Sequence, residues 1–164
     1  MRATRENRRR LLEQGYPLTM RTVERSALVP YNPEQMFALV QDIERYPEFV
    51  PWVSRATVVS RSATEVVGRL EMERAGMRET FTTRNLLEPP QRIDLQLVDG
   101  PFKLLEGRWS FEPIADRGTR IGLVMRFEFA NPLASMLLSR SFEKSVNQLV
   151  DAFVARARNH YGKS

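Results

Sequence analysis

Hydrophobic positions along this chain repeat first with a period of two and later with a period of three to four. The period-two pattern is sharpest near residue 120. There Ile121, Leu123, Met125, Phe127 and Phe129 share one face of an extended segment, and Arg120, Arg126 and Glu128 share the other. Weaker versions predict strands over 22–30, 54–61, 65–74, 77–87, 92–98 and 102–113, with 119–130 as the seventh. The separators are short and hold turn chemistry: Ala75-Gly76, Pro89-Pro90, Asp99-Gly100-Pro101 and Asp116-Arg117-Gly118. Connections that short join antiparallel hairpins rather than parallel crossovers.

Two helix starts follow the same grammar. Asn32 can cap, Pro33 suits a first helical position, and Gln35 completes a capping box. A helix over 33–42 follows, with Met36, Phe37 and Val40 as its apolar stripe. The connector after it is cut by Pro47 and Pro51, which leaves room for a short helical turn near 44–50. It is dense in aromatics, with Tyr46, Phe49 and Trp52. Asn131-Pro132 then opens a helix over about 132–160. Its stripe runs from Leu133, Met136 and Leu137 through Phe142, Val146, Leu149, Val150 and Phe153 to Ala157 and Tyr161. At 1.5 Å per residue it is roughly 40 Å long, too long for a small core patch to cover. An antiparallel sheet curved around this helix is the expected α+β architecture.

Composition narrows the function classes. A chain of 164 residues suits one domain. With 42% hydrophobic and 27% charged residues it reads as an ordinary soluble globular protein, not a disordered one. Zero cysteines exclude disulfides and Cys-ligated metals. A single histidine, His160, gives no support to a multi-His metal site or a Ser-His-Asp triad. No motif aligns a nucleophile with a base, so no catalytic residue, no metal and no enzyme activity are expected. No apolar run reaches the ~18 residues of a membrane span, which makes the cytoplasm the default location. The net charge of +5 is uneven, because residues 1–19 hold five Arg against two Glu. We read them as a basic N-terminal extension, disordered or a short frayed helix, ahead of a single domain over 20–164. Such an arm is a solvated tail, or a contact for nucleic acid or anionic lipid.

Strand parity supplies the candidate site. If the Ile121–Phe129 face points at the long helix, hairpin pairing turns Leu70, Met72, Phe81, Leu95, Leu97, Leu105 and Trp109 inward as well. With the connector and the first turns of the helix, the candidate lining is Phe49, Trp52, Leu70, Met72, Phe81, Thr83, Asn85, Leu95, Leu97, Phe102, Trp109, Met125, Phe127 and Met136. This set either fills a plain core or surrounds a cavity for a lipophilic ligand, with methionines as adaptable lining. Parity also turns Glu79, Thr83 and Asn85 inward. Unpaired, each would cost about 1–3 kcal/mol, so they serve a ligand head group or bond to backbone and water. A β-bulge would flip the argument. Phe102, beside the Asp99-Gly100-Pro101 turn, either packs the sheet end or gates the cavity. The outer sheet face mixes both signs of charge, which fits a solvated face better than a nucleic-acid platform. Arg156, Arg158 and Lys163 late in the last helix complement its dipole, or meet a phosphate-rich surface of rRNA or anionic lipid.

Several motifs in order give a resemblance. They are Ala27-Leu28-Val29-Pro30-Tyr31, Glu34-Gln35-Met36, Tyr46-Pro47 with Phe49 and Pro51, and Phe81-Thr82-Thr83-Arg84-Asn85. Leu97-Val98-Asp99-Gly100-Pro101-Phe102-Lys103 follows, then Leu105, Gly107, Trp109, Phe111 and Phe127-Glu128-Phe129 before Asn131. Over about residues 22–161 the chain resembles the bacterial RatA (ribosome-association toxin) and coenzyme-Q-binding protein family, formerly labelled oligoketide cyclase/lipid transport proteins. The resemblance implies a START-like, or Bet v 1-like, helix-grip fold: seven antiparallel strands curved around a long C-terminal helix, with two short helices after the first strand. It implies non-catalytic carriage of a polyisoprenoid quinone, ubiquinone, in support of respiratory electron transport. Its alternative implication, second to carriage, is a toxin that binds the large ribosomal subunit and blocks subunit joining. A polyketide cyclase-like enzyme is a remote third. The expected partners are thus a lipophilic small molecule or the large ribosomal subunit, with transient contact at the inner membrane face. No covalent cofactor is expected.

Overall fold

A computed structural model describes residues 5–15, 20–74 and 76–162. The elements run α1 (Arg5–Glu13), β1 (Arg21–Val29), α2 (Pro33–Gln41), a 3-10 helix (Ile43–Glu48), β2 (Val53–Arg61), β3 (Glu65–Arg74), β4 (Met77–Glu88), β5 (Arg92–Asp99), β6 (Phe102–Pro113), β7 (Thr119–Phe129) and α3 (Pro132–Tyr161). All seven strands form one antiparallel sheet in the order β1-β7-β6-β5-β4-β3-β2. Every neighbour except β1–β7 is a sequential hairpin, as the short separators require. The sheet curves around α3, which is the helix-grip architecture the motifs imply.

The caps are formed as the sequence dictates. Gln35 N donates to Asn32 Oδ1 at 2.8 Å and Asn32 N to Gln35 Oε1 at 2.9 Å, a complete capping box. Asn131 Oδ1 accepts from Leu133 N at 2.8 Å and starts α3. Where residues 1–19 were expected to be disordered or a short helix, 5–13 form α1, and no residue of α1 is buried.

Two bulges set the inner face. In the β4–β5 ladder Thr82 pairs Asp99 while Thr83 pairs Leu97, so the extra residue is Val98 of β5. β4 therefore keeps its alternation, and Phe81, Thr83 and Asn85 all point into the molecule. In the β6–β7 ladder Phe102 pairs Phe129 while Leu104 pairs Glu128, which makes Lys103 the extra residue. That bulge brings Phe102 to the inner face against strict parity with Leu105.

α3 departs from the sequence reading at its start. Its buried positions are Ser139, Phe142, Ser145, Val146, Leu149, Val150, Phe153 and Ala157. Leu133, Met136 and Leu137 are instead 59%, 74% and 65% exposed. The step from Leu137 to Phe142 is five residues, which overshoots one helical turn by about 140°. Leu133, Met136 and Leu137 therefore lie opposite the core-facing stripe, while Ala134 and Leu138 pack partly buried against the core.

Polar contacts hold α3 in the concavity. Arg21 reaches Glu143 at 2.6 Å and Arg25 reaches Asp151 at 3.1 Å, tying β1 to the helix. Arg74 at the end of β3 donates to Ser145 Oγ and Gln148 Oε1, each at 2.9 Å. Tyr161 Oη donates to Gln35 O at 2.8 Å, joining the last turn to α2.

Candidate ligand cavity

Between the sheet and the middle of α3 lies an apolar cavity of about 60 Å³. Its floor is sheet: Leu70 from β3, Phe81 from β4, Leu95 from β5, Trp109 from β6 and Met125 from β7. Its roof is α3, through Phe142, Val146 and Leu149 at helical spacing. Its end wall is the connector, through Ile43, Tyr46 and Trp52. A glycine seats that wall. A Cβ on Gly68 of β3 would stand 2.8 Å from Ile43 Cδ1, so the tip of the Ile43 side chain would have to shift to admit it.

The cavity carries polar groups at one place on its sheet wall. Thr83 Oγ1 donates to Asn85 Oδ1 at 2.8 Å, and both residues are buried. With its carbonyl so engaged, Asn85 keeps an amide N–H pair as donors. On the end wall the Tyr46 hydroxyl is committed elsewhere, donating to Val40 O. Burial holds the Tyr46 hydroxyl well above the ordinary tyrosine range, with the nearby Asp42 charge acting the same way. Its hydrogen bond to the α2 backbone anchors the wall. Glu79, the carboxylate that parity turned inward, is half-buried and outside the cavity lining.

The sequence-derived site residues sort into three groups. Trp52, Leu70, Phe81, Thr83, Asn85, Leu95, Trp109 and Met125 surround the cavity. Met72, Phe102 and Phe127 are buried in the adjoining core, and Leu97 packs against it partly buried. Phe102 stacks on Phe129 with centroids 4.7 Å apart and meets Phe142 at 5.1 Å. Met136 is corrected: the phase break in α3 turns it outward, away from the cavity. Ile43, Tyr46 and Gly68 are wall residues that strand parity cannot reach, because they sit on the connector or lack a side chain. The three- and four-residue spacing of Phe142, Val146 and Leu149 does carry the signal for the roof.

Phe49 lies just outside, half-buried, on a wider cleft of about 530 Å³. That cleft runs between the connector (Phe49, Pro51, Trp52), the end of β3 (Glu73, Arg74) and α3 (Gln148, Asp151, Ala152). Trp52 borders both the cleft and the cavity. The connector is latched to α3 by Arg156. Its guanidinium stands 5.0 Å over the Phe49 ring and 3.2 Å from Glu48, and its side chain is only 21% exposed. Arg156 is thereby engaged within the fold, whereas Arg158 is exposed. Lys163 lies outside the described residues. On the outer sheet face Arg92 and Arg108 share Asp94 at 3.2 and 2.6 Å, and Arg126 faces Glu106 at 3.6 Å. Among the described residues these pairs set opposite charges side by side on that face.

Among the described residues no cluster of His, Asp or Glu is arranged to hold a metal, and no helix is long and apolar enough to cross a membrane.

Residues 29–154 match the family described as polyketide cyclase/dehydrase and lipid transport. The ribosome association toxin RatA of Vibrio cholerae is 40% identical over 144 residues, covering 88% of this chain and 100% of that protein. The mitochondrial coenzyme Q-binding protein COQ10 of Drosophila melanogaster is 30% identical over 139 residues, covering 82% of this chain and 57% of that protein. The Zhui aromatase/cyclase of a Streptomyces species superposes with a TM-score of 0.78 at 19% identity, over 87% of this chain and 96% of that one. That last likeness is one of fold alone. The chain belongs to the polyketide cyclase/dehydrase and lipid transport family, in the group that contains RatA and coenzyme Q-binding proteins.

Proposed function

We propose that this protein binds a lipophilic small molecule between its sheet and α3 without transforming it, and that the ligand is a polyisoprenoid quinone such as ubiquinone. The observation that carries this reading is the buried Thr83–Asn85 pair set into apolar walls. Ligand sites are mostly apolar with a few placed polar groups, and an amide donor beside aromatic and aliphatic walls suits a quinone carbonyl and its prenyl chain. At about 60 Å³ the cavity is far below the roughly 300 Å³ where ligand pockets begin. Loading therefore requires the walls to part. We take the connector as the wall that parts, because Trp52 lies between cavity and outer cleft; its hold on α3 is Arg156 on Glu48 and Phe49, with Tyr46 and Phe49 edge-on to Phe153. The name of the Drosophila relative supports a quinone.

The test is organic-solvent extraction of the purified protein followed by mass spectrometry, with titration of added ubiquinone. Bound quinone, and loss of at least about tenfold in affinity in Asn85→Leu, support the reading. No extracted quinone and no uptake of added quinone by folded protein reject it.

A second reading rests on a separate observation, the 40% identity to a protein named ribosome association toxin. In this reading the chain binds the large ribosomal subunit and hinders subunit joining, from a cytoplasmic location. Contact with rRNA phosphates releases counterions, so co-sedimentation with large subunits must fall steeply as salt rises. Arg158→Glu with Lys163→Glu should weaken it further. Sedimentation free of subunits at low salt rejects this reading.

A further inference from the structure

The first three turns of α3 present a face that the fold does not use. Leu133, Met136 and Leu137 are 59%, 74% and 65% exposed, and they stand opposite the buried stripe that begins at Ser139. Arg140 and Lys144 continue the same face at the next i+3 and i+4 steps, and both are exposed. Neither has an ion-pair partner among the described residues, whereas Glu143 beside them is taken by Arg21. The face is therefore ordered along the helix: an apolar tip, then free cations.

We infer that this face docks the protein on an anionic lipid bilayer. Leu133, Met136 and Leu137 enter the acyl boundary, and Arg140 and Lys144 lie against the headgroups. Three large apolar side chains held in water on one helix face cost free energy that a bilayer interface returns. Two unpaired cations beside them favour an anionic leaflet by about 1 kcal/mol each, roughly fivefold in affinity apiece. A nucleic-acid contact would use the cations but leave the leucines and the methionine in water. Farther along the face come Gln148, Asp151 and Arg158, where the apolar character ends, so insertion is confined to one end of the helix. The inference does not rest on the quinone reading, since it follows from exposure and charge outside the cavity.

The full-length protein is tested by flotation with phosphatidylcholine vesicles and with vesicles of phosphatidylcholine plus phosphatidylglycerol. The wild type should float with the anionic vesicles. Leu133→Ser, Met136→Ser and Leu137→Ser combined should weaken that binding by at least about tenfold. Arg140→Glu with Lys144→Glu should erase the preference for phosphatidylglycerol. The residues are exposed, so the circular dichroism of each variant should match wild type. The chain has no cysteine, so Met136→Cys carrying an environment-sensitive fluorophore reports on this face alone. Its emission should shift to the blue on anionic vesicles. Failure of the wild type to float overturns the inference, as does an unshifted fluorophore. So does binding that falls with charge reversal but not with the serine substitutions, the pattern of a phosphate contact without insertion. If the serine variant floats normally and instead loses large-subunit co-sedimentation, the face is a ribosome contact and not a membrane one.

Discussion

At the scale of single residues, two aromatic side chains show how burial fixes a role. Phe102 has Phe81, Phe129 and Phe142 around it within ring-contact distance. A residue so enclosed packs the sheet end, so Phe102→Ala should destabilise the protein by about 3 kcal/mol or more in chemical unfolding. A near-unchanged unfolding midpoint with altered ligand exchange would make it a gate instead. Tyr46 is buried with its hydroxyl bonded to Val40 O, and its pKa is raised above the ordinary value of 10.0 by desolvation, then by Asp42. A raised folded-state pKa gives stability that is complete below the unfolded pKa and is lost as pH climbs above it. Stability should therefore decline above about pH 10, where only the unfolded chain ionises readily. Tyr46→Phe should be less stable at neutral pH by about 1 kcal/mol, for the lost hydrogen bond, and should show a shallower alkaline decline. Equal alkaline slopes in the two proteins would discount the tyrosine as the cause.

At the scale of elements, the connector between α2 and β2 matters most. Pro47 and Pro51 stop it from becoming a long helix, and it grips α3 through Arg156 on Glu48 and Phe49 and through Tyr46 and Phe49 edge-on to Phe153. Arg156→Ala should loosen this wall. The expected result is faster quinone uptake and release in stopped-flow fluorescence of the two cavity tryptophans, Trp52 and Trp109, with a stability loss small beside that of Phe102→Ala. Unchanged exchange rates would show that the cavity opens elsewhere. α3 itself shows where periodicity misleads. Leu133, Met136 and Leu137 keep helical spacing among themselves, so they read as one stripe with Phe142. The five-residue step that separates them is visible in the sequence, and its consequence, two opposite apolar faces, follows from helix geometry once the step is counted.

At the scale of the whole molecule, α1 is attached to the domain without burying anything. Deleting residues 1–19 should leave the thermal unfolding midpoint unchanged, and a drop of several degrees would mean the arm packs on the domain. Period-two alternation, turn chemistry and two Asn-Pro starts were enough to read seven antiparallel strands, three of the helices and the inward faces of β3 to β7, because those patterns are local. The polar pair Thr83 and Asn85 was legible for the same reason: alternation along β4 survives, since the bulge falls on Val98 in the neighbouring strand. Which inward residues line a cavity, and which merely fill core, was not legible. That division depends on how far the sheet curls and where α3 lies across it, and side chains of equal parity end up at different depths. The same holds for Phe102, brought inward by a bulge at Lys103, and for Arg156, whose partners Glu48 and Phe49 are more than a hundred residues away along the chain. Local pattern determined the elements and their faces; only the packing of distant segments decided the walls of the cavity, the latch on its end and the helix face left outside.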